Sequence, residues 1–181
     1  RIVNNCPIVH ITTIYNQLAN HVARRIEYSL EKGFEEYEGE KIFPKTKKYP
    51  QKELIEATAN SLYDVVQVDS DVERRFVENR LKIDDVDGNI IAYFKFPNSF
   101  KIHMPKIIGN YVPDWGIIRK DKLEKYKLKL VRETKGTMNL NLLQFPSEKR
   151  KIDCAKKHFK AIGIDYRQVD DKIINYWEPE S

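Results

Sequence analysis

Between Ile90 and Lys135 the apolar positions fall in short runs rather than helical stripes. Ile90 to Phe96, a run through Ile102, Tyr111 to Arg119 and Tyr126 to Lys135 each read as strands. Asp87-Gly88-Asn89 supplies a tight turn ahead of the first. Upstream, a helix opens near Asp71 and carries Val72, Phe76 and Leu81 inward, with Ser70-x-x-Glu73 as a capping box at its start. Downstream, Ser147, after Pro146, caps a helix whose Ile152, Ala155, Phe159 and Ile162 share one face and which Gly163 ends. Ile164 to Val169 and Lys172 to Trp177 are strand-like. From residue 71 onward the predicted order is α-β-β-β-α-β. Before it, Thr12 or Thr13 caps a helix with Ile14, Leu18, Val22, Ile26 and Leu30 on one stripe, ending at Gly33. Gly39 to Gln51, with Pro44, Pro50 and four lysines, reads as a solvated linker, and Glu53 to Val66 as a mixed helical pattern.

Composition narrows the class. A chain of 181 residues has room for a real core, and 41% hydrophobic with 11% aromatic residues argues against disorder despite 33% charged residues. The formal net charge of +5 favours an anionic partner such as nucleic acid without requiring one. Cys6 and Cys154 are far apart and in no Cys/His cluster, so neither a disulfide framework nor a zinc site is expected, and a reducing cytoplasm is the expected location. With no apolar run of about eighteen residues and no signal-like segment, membrane insertion is not expected. The chain opens at Arg1 rather than Met and reads as a piece of something longer.

The candidate chemistry sits on two of the strands. Pro113-Asp114 follows Tyr111, and Glu133-Thr134-Lys135 closes the next run. Side chains alternate along a strand, so Glu133 and Lys135 share a face while Thr134 turns away. If the two segments pair antiparallel about a turn centred between Leu123 and Glu124, Asp114 lies opposite Glu133. Facing residues of such strands have Cβ atoms about 4.5–5.5 Å apart. Two carboxylates at that distance repel unless a cation lies between them, and hard oxygen ligands suit Mg²⁺. Lys135 would then stand beside the metal, able to hold a phosphate or orient a water. Singly, each acid is more often a solvated surface charge. Together they lie in segments that read as buried sheet, which favours the catalytic reading.

Other motifs carry less. His10, His21, His103 and His158 show no HExxH spacing, and His158 reads as a packing residue on its helix. The glycines form neither GxxxxGK[ST] nor GxGxxG, so no nucleotide hydrolysis is expected of this segment itself. Lys95, Lys101, Lys106, Lys149-Arg150-Lys151 and Lys156-Lys157 supply basic surface, read mainly as solvated charge with a minority of phosphate contacts.

Taken together, the residues resemble the PD-(D/E)XK nuclease superfamily, and more closely the C-terminal endonuclease domain of the Res subunit of type III restriction enzymes. The resemblance rests on Glu73-x-x-Phe76, Lys95-Phe96-Pro97, Phe100-x-Ile102, Gly109-x-Tyr111-x-Pro113-Asp114-Trp115 and Glu133-Thr134-Lys135-Gly136. It is completed by the helix Lys151-Ile152-x-Cys154-Ala155-x-x-His158-Phe159, and it covers about Asp69 to Val169. Val112 and Gly116 replace the Asn and Ala often found beside that Pro-Asp-Trp. The resemblance implies an α/β fold with an αβββαβ core, a mixed sheet flanked by helices, and an N-terminal helical extension. The division would be a spacer over 1–68 and an endonuclease domain over 69–181.

As implied by the same resemblance, Asp114 and Glu133 would be metal ligands with the Thr134 carbonyl, Lys135 would orient water or phosphate, and Glu73 would approach the same metal or a second one. Glu73 is also the capping-box acid, so cap and site both remain open for it. The implied cofactor is Mg²⁺. The implied partners are double-stranded DNA, a Mod-type methyltransferase subunit that reads the sequence, and an N-terminal helicase motor. The alternative is a nuclease-like fold used only for DNA binding or assembly; the joint presence of Asp114, Glu133 and Lys135 favours the enzyme.

Overall fold

The strand signals after Ile90 assemble one mixed sheet in the computed structural model, which describes residues 7–29, 42–43, 53–121, 127–136 and 146–179. In chain order the elements are α1 (Pro7–Arg25), β1 (Glu53–Glu56), β2 (Val65–Val68), α2 (Asp71–Phe76), a π-helical turn (Val77–Leu81), α3 (Lys82–Val86), β3 (Ile90–Lys95), β4 (Trp115–Lys120), β5 (Lys127–Thr134), α4 (Pro146–Ala161) and β6 (Asp165–Val169). The sheet order is β3-β4-β5-β6. The first three strands run antiparallel, and β6 pairs parallel to β5 after the chain returns through α4. The predicted αβββαβ order holds, and the fold is restriction-endonuclease-like. Among the described residues no helix is long and apolar enough to cross a membrane.

Alternation along the strands divides the core in two. Tyr93, Trp115, Ile117, Leu130 and Val169 point to one face, where they meet Phe76, Val77 and Leu81 of the helical turns and Val66 and Val68 of β2. Val131 and Tyr166 point to the other face, against Ile152, Ala155 and Phe159 of α4 and Ala19 and Ala23 of α1. The first face also holds a buried polar cluster. Asp84 accepts both arms of the Arg119 guanidinium, at 2.6 and 3.0 Å, and the Tyr176 hydroxyl at 2.6 Å. Its other carboxylate contact is the Asn89 amide at 2.9 Å.

Four expectations are corrected. Of the α1 stripe, Ile14 and Leu18 lie in solvent, 63% and 52% exposed, whereas Val22 and Ile26 pack against the core as expected. The helix docks through these and through Ala19 and Ala23, whose small side chains admit α4, while Arg150 of α4 donates to Asn20 and Asn16 at 3.1 and 3.2 Å. Lys157 then donates to the carbonyls of Ala23, Arg24 and Ile26, occupying acceptors that the helix end leaves open. Leu30, Gly33 and most of the Gly39–Gln51 stretch lie outside the described residues. Second, the mixed pattern of Glu53 to Val66 is a β-hairpin, since Val66 and Val68 alternate inward onto the sheet's helical layer.

Third, Lys172 to Trp177 is a series of turns, not a strand. Arg80 donates to Ile173 O at 2.5 Å and Arg132 to Tyr176 O at 2.5 Å, so guanidinium groups take carbonyls that a ladder would have used. Fourth, α4 begins at Pro146, which loses nothing at a position whose N–H has no helical partner; Ser147 lies inside the first turn, and Ile162 is 38% exposed beyond the helix end. Gly163 ends the helix as expected, at φ +70°, with Ile164 N donating back to Phe159 O at 2.9 Å.

Gly116 is demanded by its cross-strand neighbour. It pairs with Phe94, and a β-carbon there would come within 2.4 Å of the Phe94 ring. That ring is held edge-on between Phe43 and Phe96, at 4.9 and 5.0 Å. Gly116→Ala should therefore lower stability by about 1–3 kcal/mol in chemical denaturation. Phe94→Leu in the same chain should recover most of the loss; a Gly116→Ala protein as stable as wild type would show that the ring is free to move.

Candidate active site

Pairing of Trp115 with Arg132 and of Lys120 with Lys127 fixes the β4–β5 register, and continuing it one step places Asp114 across from Glu133. The strand signal of the sequence had implied this register. The connecting turn lies outside the described residues. Asp114 stands just before β4, its backbone carbonyl accepting from Phe96 N at 2.8 Å. Its Oδ2 accepts from both the amide and the hydroxyl of Thr134, at 2.8 and 2.6 Å. Thr134 turns to the Trp115 face as alternation requires, and Trp115 Nε1 donates to its hydroxyl at 3.4 Å.

Glu133 is almost wholly buried. Tyr111 donates its hydroxyl to Glu133 Oε2 at 2.5 Å, and the Tyr111 and Tyr166 hydroxyls are 2.7 Å apart. The other carboxylate oxygen faces Lys135 Nζ at 3.1 Å. Lys135 is anchored by its own amide, which donates to Val169 O at 2.9 Å, and its ammonium also faces Glu148 at 3.6 Å. Tyr111, Asp114, Glu133, Lys135, Glu148 and Lys151 line one open cleft of about 290 Å³.

Electrostatics in this cleft are unbalanced toward negative charge. Burial, then the charge of Asp114, pushes the Glu133 carboxyl up to about 8; Lys135 and the Tyr111 hydrogen bond only partly offset this. Burial, then Glu73, pushes Asp114 up to about 6 against the two Thr134 hydrogen bonds. Lys135 is raised: burial opposes its charge, but Glu133, Asp114 and Glu148 outweigh burial. Such a pair of acids has the chemistry to hold a cation. Among the described residues no three His, Cys, Asp or Glu side chains converge as a ready-made metal cluster. Two carboxylates are nonetheless what Mg²⁺ requires of a protein, because it keeps several of its own waters.

Glu73 shows the cap and adds to the site's field. Ser70 Oγ accepts from Glu73 N at 3.2 Å, and the reciprocal bond runs from Asp69 N to Glu73 Oε2 at 2.9 Å, one residue earlier than a standard capping box. The same carboxylate is ion-paired to Lys95. Lys95, read from the sequence as surface charge, is largely buried at 15% exposure. The sequence pattern likewise carries no signal that brings the hydroxyls of Tyr111 and Tyr166 and the acid of Glu148 to the site. Tyr166 could be placed only once the β5–β6 pairing set it beside Val131. Of the histidines, His158 packs edge-on against Tyr28 and Phe159, as expected, and burial lowers its pKa.

Residues 59–172 match a family described as an endonuclease domain. The chain belongs to this endonuclease-domain family. Comparison with curated proteins and with solved structures gave no significant match. The matched span of the endonuclease domain contains every residue that lines the cleft, from Asn110 to Ile152, and Glu73 and Tyr166 besides. It is a restriction-endonuclease-like nuclease domain.

The raised acids set a pH dependence for the metal-free domain. Folded Asp114 and Glu133 bind protons more tightly than the unfolded chain does, so their contribution is full below about pH 4 and is lost as pH rises through about 6 and about 8. In chelator, Glu133→Gln should gain thermal stability over wild type progressively across that window. Parallel melting curves from pH 4 to 8 would mean that the folded carboxyl carries no extra proton.

Proposed function

We propose that this domain is an Mg²⁺-dependent DNA endonuclease that hydrolyses phosphodiester bonds as the nuclease part of the restriction subunit of a type III restriction enzyme. The observation that carries the reading is the facing pair Asp114 and Glu133 in one cleft with Lys135, each acid pushed toward its protonated form by burial and a neighbouring carboxylate. The Asp114 and Glu133 carboxylates and the Thr134 carbonyl would hold the ion. When bound, Mg²⁺ lowers the pKa of a water and neutralises charge on the phosphate.

The chain's own groups have separable tasks. The Thr134 amide and hydroxyl fix one Asp114 oxygen and leave the other for the cleft. The Tyr111 hydroxyl orients Glu133 in the same way. Lys135, kept protonated by three acids, offers an ammonium to the scissile phosphate or the attacking water, whose oxygen bonds phosphorus as a phosphorus–oxygen ester bond breaks. Lys151 on the cleft wall suits a neighbouring backbone phosphate. Sequence reading would belong to a Mod-type methyltransferase subunit, and ATP hydrolysis to a helicase motor N-terminal to this domain.

Asp114→Ala, Glu133→Ala and Lys135→Ala should each abolish DNA cleavage by the parent enzyme and leave its ATP hydrolysis intact. Pairs of these changes should cost no more than the single ones, since the three act as one unit; a single variant that cuts at the normal rate would refute the assignment. Binding is separable from cleavage. Affinity of the domain for duplex DNA should fall linearly with salt on logarithmic axes, with little sequence preference, and Lys151→Ala should reduce the slope by about one. An affinity indifferent to salt would instead favour a protein-interaction module.

A further inference from the structure

Asp114 has acidic neighbours on two sides, Glu133 and Glu73, each paired with a lysine, and only the Glu133 side opens on the cleft. On the Glu133 side, Lys135 approaches from the rim and the cleft is open. On the Glu73 side, the Lys95 ammonium is already seated. It is hydrogen-bonded to Glu73 Oε2 and, at 2.7 Å, to Asp69 Oδ2. Backbone geometry holds it there: Lys95 pairs with Trp115 at the end of β3, next to Asp114, and the Trp115 ring lies 5.7 Å from its Nζ. Glu73 is fixed in turn by the Asp69 amide, so neither partner is a loose surface side chain.

We propose that the Lys95 ammonium is the resident cation on the Glu73 side of Asp114, so that the cleft takes one divalent ion, at Asp114 and Glu133, rather than two. This deepens the proposed function and rests on its metal-binding reading. An ammonium supplies charge without Lewis acidity, so it neutralises Glu73 and steadies Asp114 while leaving water activation to the other side. The electrostatics agree: burial opposes the Lys95 charge, yet Glu73, Asp69 and Asp114 together raise its pKa. Glu73 is then a positioning residue, acting through Lys95.

The test is Mn²⁺ stoichiometry of the DNA-free chain, measured by calorimetry and by loss of the free-ion EPR signal, with folding followed by circular dichroism. Wild type and Lys95→Arg should each bind one ion. Lys95→Met, which leaves Asp69, Glu73 and Asp114 facing one another, should bind two, and adding Glu73→Gln should return the count to one. Two ions in wild type, or one in folded Lys95→Met, would overturn the proposal while leaving metal dependence in place. No ion in wild type, with no change on Asp114→Asn, would overturn the metal reading itself and this inference with it. Should Lys95→Met fail to fold, the wild-type and Lys95→Arg counts still decide between one ion and two.

Discussion

The register of β4 against β5 is the constraint on which the site depends. With Trp115 opposite Arg132, the acids at the strand ends meet, and Trp115 and Val131 fall on opposite faces of the sheet. A slip of one residue would send Glu133 to the Trp115 face and exchange every buried side chain of β5 for its neighbour. Thr134 ties the two strands together, through two hydrogen bonds to Asp114 and one from Trp115 Nε1. Their outer neighbours are fixed separately: Gly116 admits the Phe94 ring of β3, and the buried Arg132 guanidinium is tied to Tyr176 O and to Asp165.

Two polar clusters lie on this sheet and solve opposite problems. Asp84 is surrounded by donors from Arg119, Asn89 and Tyr176, and Arg119 stacks at 4.0 Å over the Trp177 ring. That cluster ties α3, β4 and the C-terminal turns together, and removing one partner would strand a buried charge. Asp114 and Glu133 are instead pushed upward, first by burial and then by a neighbouring carboxylate, Glu73 for Asp114 and Asp114 for Glu133. A buried acid enclosed by donors builds the fold, whereas a pair with raised pKa values opening on a cleft is suited to bind.

Regions outside the sheet show how packing overrides local pattern. The large apolar side chains of α1 predict a docking face from Ile14 to Ile26, but only its Val22 and Ile26 pack against the core, and Ile14 and Leu18 give way to alanines and asparagines. Close approach of two helices favours small residues, and Arg150 adds directional bonds that a hydrophobic count cannot register. The C-terminal turns are likewise shaped by arginines from α3's preceding π-helical turn and from β5.

The order of elements from residue 71, the antiparallel register and the meeting of Asp114, Glu133 and Lys135 in one cleft were legible in the chain. They depend on local periodicity, on turn position and on residue type, all of which are linear properties. The partners of those residues were not. Lys95 becomes the counter-ion of Glu73 only because β3 lies beside β4, and Tyr166 reaches Tyr111 only because β6 returns parallel to β5. Strand alternation assigns a side chain to a face. Which charges share a low-dielectric space on that face depends on contacts between segments distant in the chain, and those arise only when the layers pack.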